Sequence, residues 1–245
     1  LIVLFFLTFS RITGIFLLLP VFGNRTIPTP IKIGFSFFLT YVTLPLIRAK
    51  ELYIIDSFDA LPLLFISEFV IGLIFGFISF LLINSIYLTG LIVDYMIGFS
   101  MVSIINPEDE TESPITSNLF YILAILIFFI ANFHHKLIIS IAYSLEKIPI
   151  GSNFLKLISP ELVIEILQTS FVFGFKMAAP ILVTILISDL LLGILSRAMP
   201  QMNVFIVGMP LKILIGLLAL FIVFPSFIKL INNIFTRMFD YINIF

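Results

Sequence analysis

The chain has 245 residues, of which 61% are hydrophobic and only 11% are charged, and its formal net charge is −1. A soluble domain has about 25% charged residues and needs a polar surface, which this sequence cannot form. The small net charge gives no basic field for nucleic acid, and the high hydrophobicity excludes intrinsic disorder. Because cysteine is missing, disulfides and thiolate metal sites are excluded. The composition predicts a membrane protein, or one covered largely by other apolar chains.

Six apolar stretches follow one another along the chain, separated by short polar or proline-rich segments. A bilayer core of about 30 Å requires about 20 helical residues. The second stretch is at the short end of this requirement, and the third is either two spans hinged near Thr89-Gly90 or one helix that leaves the membrane. No stretch shows the sustained alternation of a membrane barrel, so we predict an all-α fold in a single domain. The stretches are 1–22, 31–47, 61–105, 115–143, 162–196 and 204–231.

The first stretch is too long and too apolar for a cleaved signal peptide, and it lacks a small-residue cleavage site. We interpret it as a retained span and expect a few residues to precede Leu1.

Six ionisable side chains lie well inside the apolar stretches. An ionised group facing lipid near the bilayer centre costs about 2.5–3.5 kcal/mol, so we expect these groups to face other protein, one another or water. Buried pairs that fix helix packing are one explanation, and an ion or proton path is the alternative. The six residues are Arg11, Glu68, Asp94, Lys176, Asp189 and Lys212. Gly72 and Gly76, four residues apart, predict close helix packing in the same region.

Sequence patterns of known catalytic sites are missing. His134 and His135 are adjacent, so on a helix they point about 100° apart and cannot bind one metal as an i, i+4 pair would. The zinc-protease pattern, the nucleophile elbow and the phosphate-binding loop are not found. We predict no enzymatic activity, no cofactor and no metal site, and we interpret the two histidines as polar contacts at a loop end.

The most specific pattern lies in residues 197–213, where seven residues match R-x-x-P-Q-x-N followed by G-x-P-x-K: Arg197, Pro200, Gln201, Asn203, Gly208, Pro210 and Lys212. Further motifs agree in chain order, among them Glu68-x3-Gly72-x3-Gly76, Gly90-x3-Asp94-x3-Gly98, Asn106-Pro107 and Ala178-Ala179-Pro180. Together these segments resemble the FliR family of the flagellar type III export gate, with the SctT-type injectisome subunits as relatives. Two positions depart from the family pattern. Asn106 stands where the family has Asp, and the family's Gly-His pair appears here as Phe133-His134 or His134-His135.

The resemblance implies a non-enzymatic subunit of a protein-export gate. In that family one FliR-like chain joins several copies of FliP and FliQ in a helical, pore-forming complex that passes unfolded export substrates, with FlhB packed on it and FlhA nearby. The implied location is the bacterial inner membrane, in the flagellar basal body. The implied fold consists of kinked helical hairpins, with a FliP-like part over 1–160 fused to a FliQ-like part over 161–245. Much of the chain would lie away from the lipid once assembled.

The resemblance also implies a loop that plugs the pore, which corresponds to residues 98–114. Its apolar arm holds three large side chains, and a narrow hydrophobic constriction of this kind excludes water and ions. Ordinary packing beneath a solvated turn is the alternative interpretation. The predicted gate residues are Met101, Ile104, Ile105, Asn106 and Pro107.

The residues of the 197–213 signature are interpreted as structural. Pro200 and Pro210 remove helix donors, and Gln201 and Asn203 can satisfy the freed backbone groups. Arg197 and Lys212 would meet acids on neighbouring helices, of which Asp189 is the nearest in sequence.

A self-contained ion-coupled secondary transporter is the alternative function. Glu68, Asp94 and Lys176 would then form a site at mid-membrane. An internal inverted repeat would favour this alternative, and the sequence contains none that we can identify.

Overall fold

A computed structural model describes residues 2–23, 27–46, 61–99, 114–151, 159–199, 201 and 204–244. Every regular element in these ranges is helical, which confirms the predicted all-α fold. The α-helices are α1 (Ile2–Leu18), α2 (Pro20–Gly23), α3 (Thr29–Thr43), α4 (Leu61–Ile97), α5 (Ile115–Ile130), α6 (Phe133–Lys147), α7 (Pro160–Ala198) and α8 (Val204–Ile244), and a short 3-10 helix covers Leu44–Leu46.

Three helices in the described part of the chain are long and apolar enough to cross a membrane: α4, α7 and α8, with 37, 39 and 41 residues. A fourth span results if α5 and α6 count as one bent pair. The first and second apolar stretches form α1 and α3, whose 17 and 15 residues fall short of the about 20 that a bilayer core requires. Three of the six stretches therefore form helices of membrane-spanning length, and a fourth does so if the bent pair is counted as one span.

Over its described residues the third stretch is one helix, Leu61–Ile97, without a hinge near Thr89-Gly90, which favours the one-helix alternative. The Thr89 hydroxyl donates to the carbonyls of Ser85 and Gly174, at 2.9 and 3.1 Å. A Cβ on Gly90 would collide with the backbone of Ser117. The two residues that suggested a break serve close packing of α4 against neighbouring helices.

The fourth stretch is broken, in contrast to the single run in the sequence. Asn132 adopts a left-handed conformation with φ 57°, which asparagine tolerates better than most residues, and α5 and α6 are bent by 72° at this point. Just beyond it the ring of Phe133 lies 4.9 Å from that of Phe235 and 5.8 Å from that of Phe239. The bend is therefore held by an aromatic cluster.

The helices α7 and α8 run antiparallel, as the predicted helical hairpins require. Asp189 near the end of α7 pairs with Lys212 near the start of α8. Towards the other ends of the helices, Tyr241 donates to Glu165 at 3.0 Å. The start of α7 is fixed by Ser159, whose hydroxyl accepts the backbone N–H of Leu162 at 3.2 Å, as an N-cap does.

Two compact units divide the chain: Leu1–Ile83 with Phe128–Thr169 and Ile234–Phe245, and Asn84–Ile127 with Ser170–Asn233. The long helices α4, α7 and α8 contribute to both units. The predicted single domain and its division at residue 160 into a FliP-like and a FliQ-like part stay predictions.

In the first unit α1 packs against α4 through glycine. A Cβ on Gly72 would collide with the carbonyl oxygen of Arg11, and one on Gly14 would lie 2.6 Å from the carbonyl oxygen of Phe69. A Cβ on Gly76 would lie 2.8 Å from the carbonyl oxygen of Ile15. The two backbones are therefore in direct contact, which confirms the close packing predicted from Gly72 and Gly76.

Eight buried or half-buried hydroxyl groups bond within their own helices. Each donates to the carbonyl oxygen four residues earlier, which allows a serine or threonine to lie in an apolar helix without an unpaired donor. The residues are Thr8 and Thr13 in α1, Ser36, Thr40 and Thr43 in α3, Ser79 and Thr89 in α4, and Thr184 in α7.

The close contact at Gly72 predicts how one added methyl group changes the stability of the protein. Gly72→Ala should lower the free energy of unfolding by about 1–3 kcal/mol, because the added Cβ forces the α1 and α4 backbones apart. The matched control is Gly34→Ala in α3, where a Cβ meets nothing within 4 Å and the better helix propensity of alanine should be neutral or stabilising. Thermal unfolding in detergent measures both, and equal melting temperatures would contradict the close approach.

Candidate functional site

Arg11 is completely buried in the first unit, and all of its hydrogen bonds go to protein. Its Nε donates to Oε2 of Glu68 at 2.6 Å, with both side chains 0% exposed. Its Nη1 and Nη2 donate to the carbonyl oxygens of Ser144 and Ile148, at 2.8 and 3.0 Å. These carbonyls lie at the end of α6, where a positive charge is favourable, and that of Ser144 also accepts the N–H of Ile148 at 3.0 Å.

The second oxygen of Glu68 has its own donor. Its Oε1 accepts the backbone N–H of Gly151 at 3.0 Å, and Gly151 has a positive φ of 88° that favours glycine. Arg11, Glu68 and these three backbone groups form what we call the Arg11–Glu68 clasp. A buried ion pair is tolerated when its remaining hydrogen-bonding capacity is met in this way.

Asp94 is buried near the end of α4 in the second unit, and its carboxylate caps α5. Its two oxygens accept the N–H of Thr116 at 3.0 and 3.1 Å, and Oδ2 also accepts the N–H of Ser117 at 3.3 Å. The first amides of a helix lack acceptors within it, and a negative charge there is stabilised by the helix dipole. Since α4 ends at Ile97, just before Gly98 with its φ of 96°, Asp94 holds together the two helix ends that border residues 100–113.

The predicted gate residues Met101, Ile104, Ile105, Asn106 and Pro107 lie outside the described residues, and so do Pro200 and Asn203 of the signature. Their predicted roles stay predictions.

Of the remaining signature residues, Lys212 forms an ion pair in the second unit. Nζ of Lys212 lies 2.9 Å from Oδ2 of Asp189, with side chains 24% and 42% exposed. Arg197 and Gln201 are exposed, and Gly208 is buried. Helix α8 continues through Pro210. An ion pair this exposed contributes about 0–1 kcal/mol in water.

Lys176 differs from the other five charged residues. It is exposed on α7, and within the described ranges no ion pair or hydrogen bond joins its ammonium group to another residue. The described residues therefore do not provide the packing role that was predicted for this lysine.

The two histidines lie at the start of α6, just after the bend at Asn132. Their ring centroids are 4.1 Å apart, and Nδ1 of His134 is buried without a hydrogen-bond partner in the structure. Among the described residues, no group of three or more side chains could hold a metal ion.

Sequence reasoning missed the backbone groups that complete the two buried sites. The carbonyls of Ser144 and Ile148 and the N–H of Thr116 carry no signal in the sequence, because every residue except proline has them. It also missed the hydrogen bond between Glu165 and Tyr241. The signal was available, since both residues lie in helical stretches where an unpaired polar group is costly.

The carboxylates of the transporter alternative are already engaged. Glu68 binds Arg11 and the N–H of Gly151, and Asp94 binds two backbone amides. Fixed hydrogen bonds of this kind favour a structural role for both residues.

The clasp predicts strong coupling between its two side chains. Arg11→Met or Glu68→Met alone should cost about 3–5 kcal/mol, because each leaves an uncompensated buried charge. The double variant should be much more stable than the sum of the two losses predicts. Thermal unfolding of the wild type, both single variants and the double variant in detergent measures the coupling, and additive losses would contradict the clasp.

Comparison with known proteins agrees with these motifs. Residues 2–238 match the family model described as "Bacterial export proteins, family 1". The chain is 32% identical to flagellar biosynthetic protein FliR of Bacillus subtilis over 235 residues, 95% of this chain and 90% of the relative. It is 28% identical to the protein of the same name from Aquifex aeolicus over 233 residues (95% and 90%), and 24% identical to that from Escherichia coli over 237 residues (97% and 90%). With its helices of membrane-spanning length, the chain is a membrane protein that belongs to the FliR family of flagellar export proteins.

Proposed function

We propose that this chain is a non-enzymatic subunit of the flagellar protein-export gate, which forms and gates a pore for unfolded substrates together with FliP and FliQ. The observation that carries the proposal is the family match over residues 2–238, which spans every described helix except the last residues of α8. The proposed location is the inner membrane at the flagellar basal body, with FlhB and FlhA as neighbours and lipid around the complex.

The uncovered apolar surface supports a role inside a larger assembly. Only 22% of the membrane-length segments of α7 and α8 is buried within the chain, against 56% of α4. Apolar patches of this extent mark contacts with other proteins or with the membrane. Large exposed side chains on these helices include Phe171, Phe175, Leu190, Leu218, Phe221 and Ile222.

The helices α7 (Pro160–Ala198) and α8 (Val204–Ile244) would make up the FliQ-like part proposed over 161–245. The ion pair of Asp189 with Lys212 and the hydrogen bond of Tyr241 with Glu165 support a hairpin of these two helices. The preceding helices would make up the FliP-like part proposed over 1–160.

Co-purification tests the proposed assembly. The tagged chain, expressed with FliP and FliQ from the same organism, should be recovered in one detergent-stable particle with both, because its apolar faces need protein partners. The control is the tagged chain expressed alone. If the chain instead purifies without FliP and FliQ and carries a solute across liposomes alone, the transporter alternative is correct.

Gating is proposed for the segment between α4 and α5. Asp94 fixes the ends of this segment by binding the first amides of α5, so the intervening residues would be presented from an anchored base. Met101 and Ile104 would supply an apolar seal, and methionine adapts readily to changing shapes.

Replacement of the seal by polar groups should open it. Met101→Ser with Ile104→Ser should raise the ion conductance of membranes that contain the complex several-fold, because a polar constriction stays hydrated. Ile115→Ser is the matched control, since Ile115 is already 62% exposed at the start of α5. Unchanged conductance in a fully assembled double variant would contradict the gate.

A further inference from the structure

Lys176 lies within an exposed apolar stripe of α7. Val172 and Val183 are 47% and 55% exposed, and Ala179 between them is exposed as well. The positions 172, 176, 179 and 183 are separated by three or four residues, so they share one face of the helix. We call Val172, Lys176, Ala179 and Val183 the Lys176 stripe.

The ammonium group cannot be solvated by reaching out of the apolar region. Between Glu165 and Asp189, Lys176 is the only ionisable residue of α7. At 1.5 Å per residue this run is about 34 Å long, comparable to a bilayer core, and Lys176 lies about 15 Å from its nearer end. A lysine side chain that lies near an edge can extend its head to water, but this distance exceeds the length of its stem. The charge must therefore be neutralised at its own level.

The backbone at the same level is also incompletely bonded. Pro180 lies inside α7 and has no N–H, so the carbonyl oxygen of Lys176, four residues earlier, receives no hydrogen bond from the helix. The neighbouring Ala179 is small enough to let a second helix approach closely. At this level of α7, the ammonium group of Lys176 has no partner among the described residues, and its carbonyl accepts no N–H from the helix. The small Ala179 also allows the backbone of another helix to approach.

The carboxylates that lie well inside the apolar stretches already have partners. Among the described residues, Glu68 binds Arg11, Asp94 binds the amides of α5, and Asp189 binds Lys212. The exposed carboxylates Glu161 and Asp240 lie in the end turns of α7 and α8, away from the level of Lys176. The described helices of a second copy therefore offer no free carboxylate at mid-helix level, which favours a counter-charge from a different chain.

We propose that the Lys176 stripe docks an apolar helix of another membrane protein, and that this helix brings a carboxylate into salt-bridge contact with Nζ of Lys176. Charge complementarity selects the partner, because a wholly apolar helix would leave the ammonium group buried and unpaired. The inference rests on the proposed function, since it gives the chemistry of one partner in the export-gate assembly.

Charge reversal at Lys176 tests the pairing. With the tagged chain co-expressed with FliP and FliQ, Lys176→Glu should reduce recovery of the partner chains by at least about tenfold, because two carboxylates would face each other. Lys176→Arg keeps the positive charge and should assemble. Lys229→Glu is the matched control, because Lys229 is likewise exposed on a long helix but lies three and four residues from the polar Asn232 and Asn233.

A zero-length carbodiimide cross-link identifies the partner atom. The reagent activates a carboxylate, the amine of Lys176 attacks it, and an amide forms while the reagent leaves as a urea. Mass spectrometry should find Lys176 joined to an Asp or Glu of another chain. The internal control is the pair Lys212 and Asp189, which are 2.9 Å apart and should be joined in the same sample.

The outcomes separate this inference from the function on which it rests. If the wild-type chain recovers no partner, the proposed function itself fails. If the wild type assembles and Lys176→Glu assembles equally well, only the docking inference is overturned, and Lys176 then faces lipid headgroups or water. A cross-link from Lys176 only to a second copy of this chain, or none while Lys212 and Asp189 are joined, overturns it too.

Discussion

The buried pair of Arg11 and Glu68 is the constraint around which the first unit is organised. An ion pair with no access to water needs further hydrogen bonds to its donors and acceptors, or its desolvation outweighs the attraction between the charges. Here the missing partners are backbone groups at the end of α6 and at Gly151. The pair can therefore form only when α1, α4 and the end of α6 are all in place.

The glycine contact and the ion pair depend on one another. Gly14 follows Arg11 by three residues and Gly72 follows Glu68 by four, so each glycine lies on the same helix face as the charge before it. The direct backbone contact at Gly72 brings the two helices close enough for a bond of 2.6 Å between the side chains. A larger residue at either glycine would separate the charges as well as the helices.

The other charges in the apolar helices are accommodated in three different ways. Asp94 uses the free amides at the start of α5, so it needs no positive side chain. Asp189 and Lys212 form a pair that is still partly exposed. Lys176 has neither kind of partner within the described part of the chain. A buried or half-buried charge is thus neutralised inside the chain where a helix end or an opposite charge is available, and the described residues offer neither to Lys176.

The sequence predicts the helical class, the long helices and the glycine contact, because these depend on local composition and spacing. It could not determine the behaviour of Thr89-Gly90 and Asn132. A glycine in an apolar helix is equally compatible with a break and with close packing, and only the position of Ser117 decides between them. The bend at Asn132 depends on the aromatic cluster around Phe133, whose members are about 100 residues apart in sequence. The targets of Arg11 and Asp94 could not be predicted either, because backbone groups are the same at every residue.

The Asp94 cap makes the packing of α4 against α5 independent of the length of the segment between them. Because the carboxylate joins the end of α4 to the start of α5, the positions of these helices do not depend on a taut connection. The entropy cost of closing a flexible loop rises by only about 0.6 kcal/mol for each doubling of its length. Insertions, deletions and exchanges of composition between Phe99 and Pro114 should therefore cost the packing of α4 against α5 little.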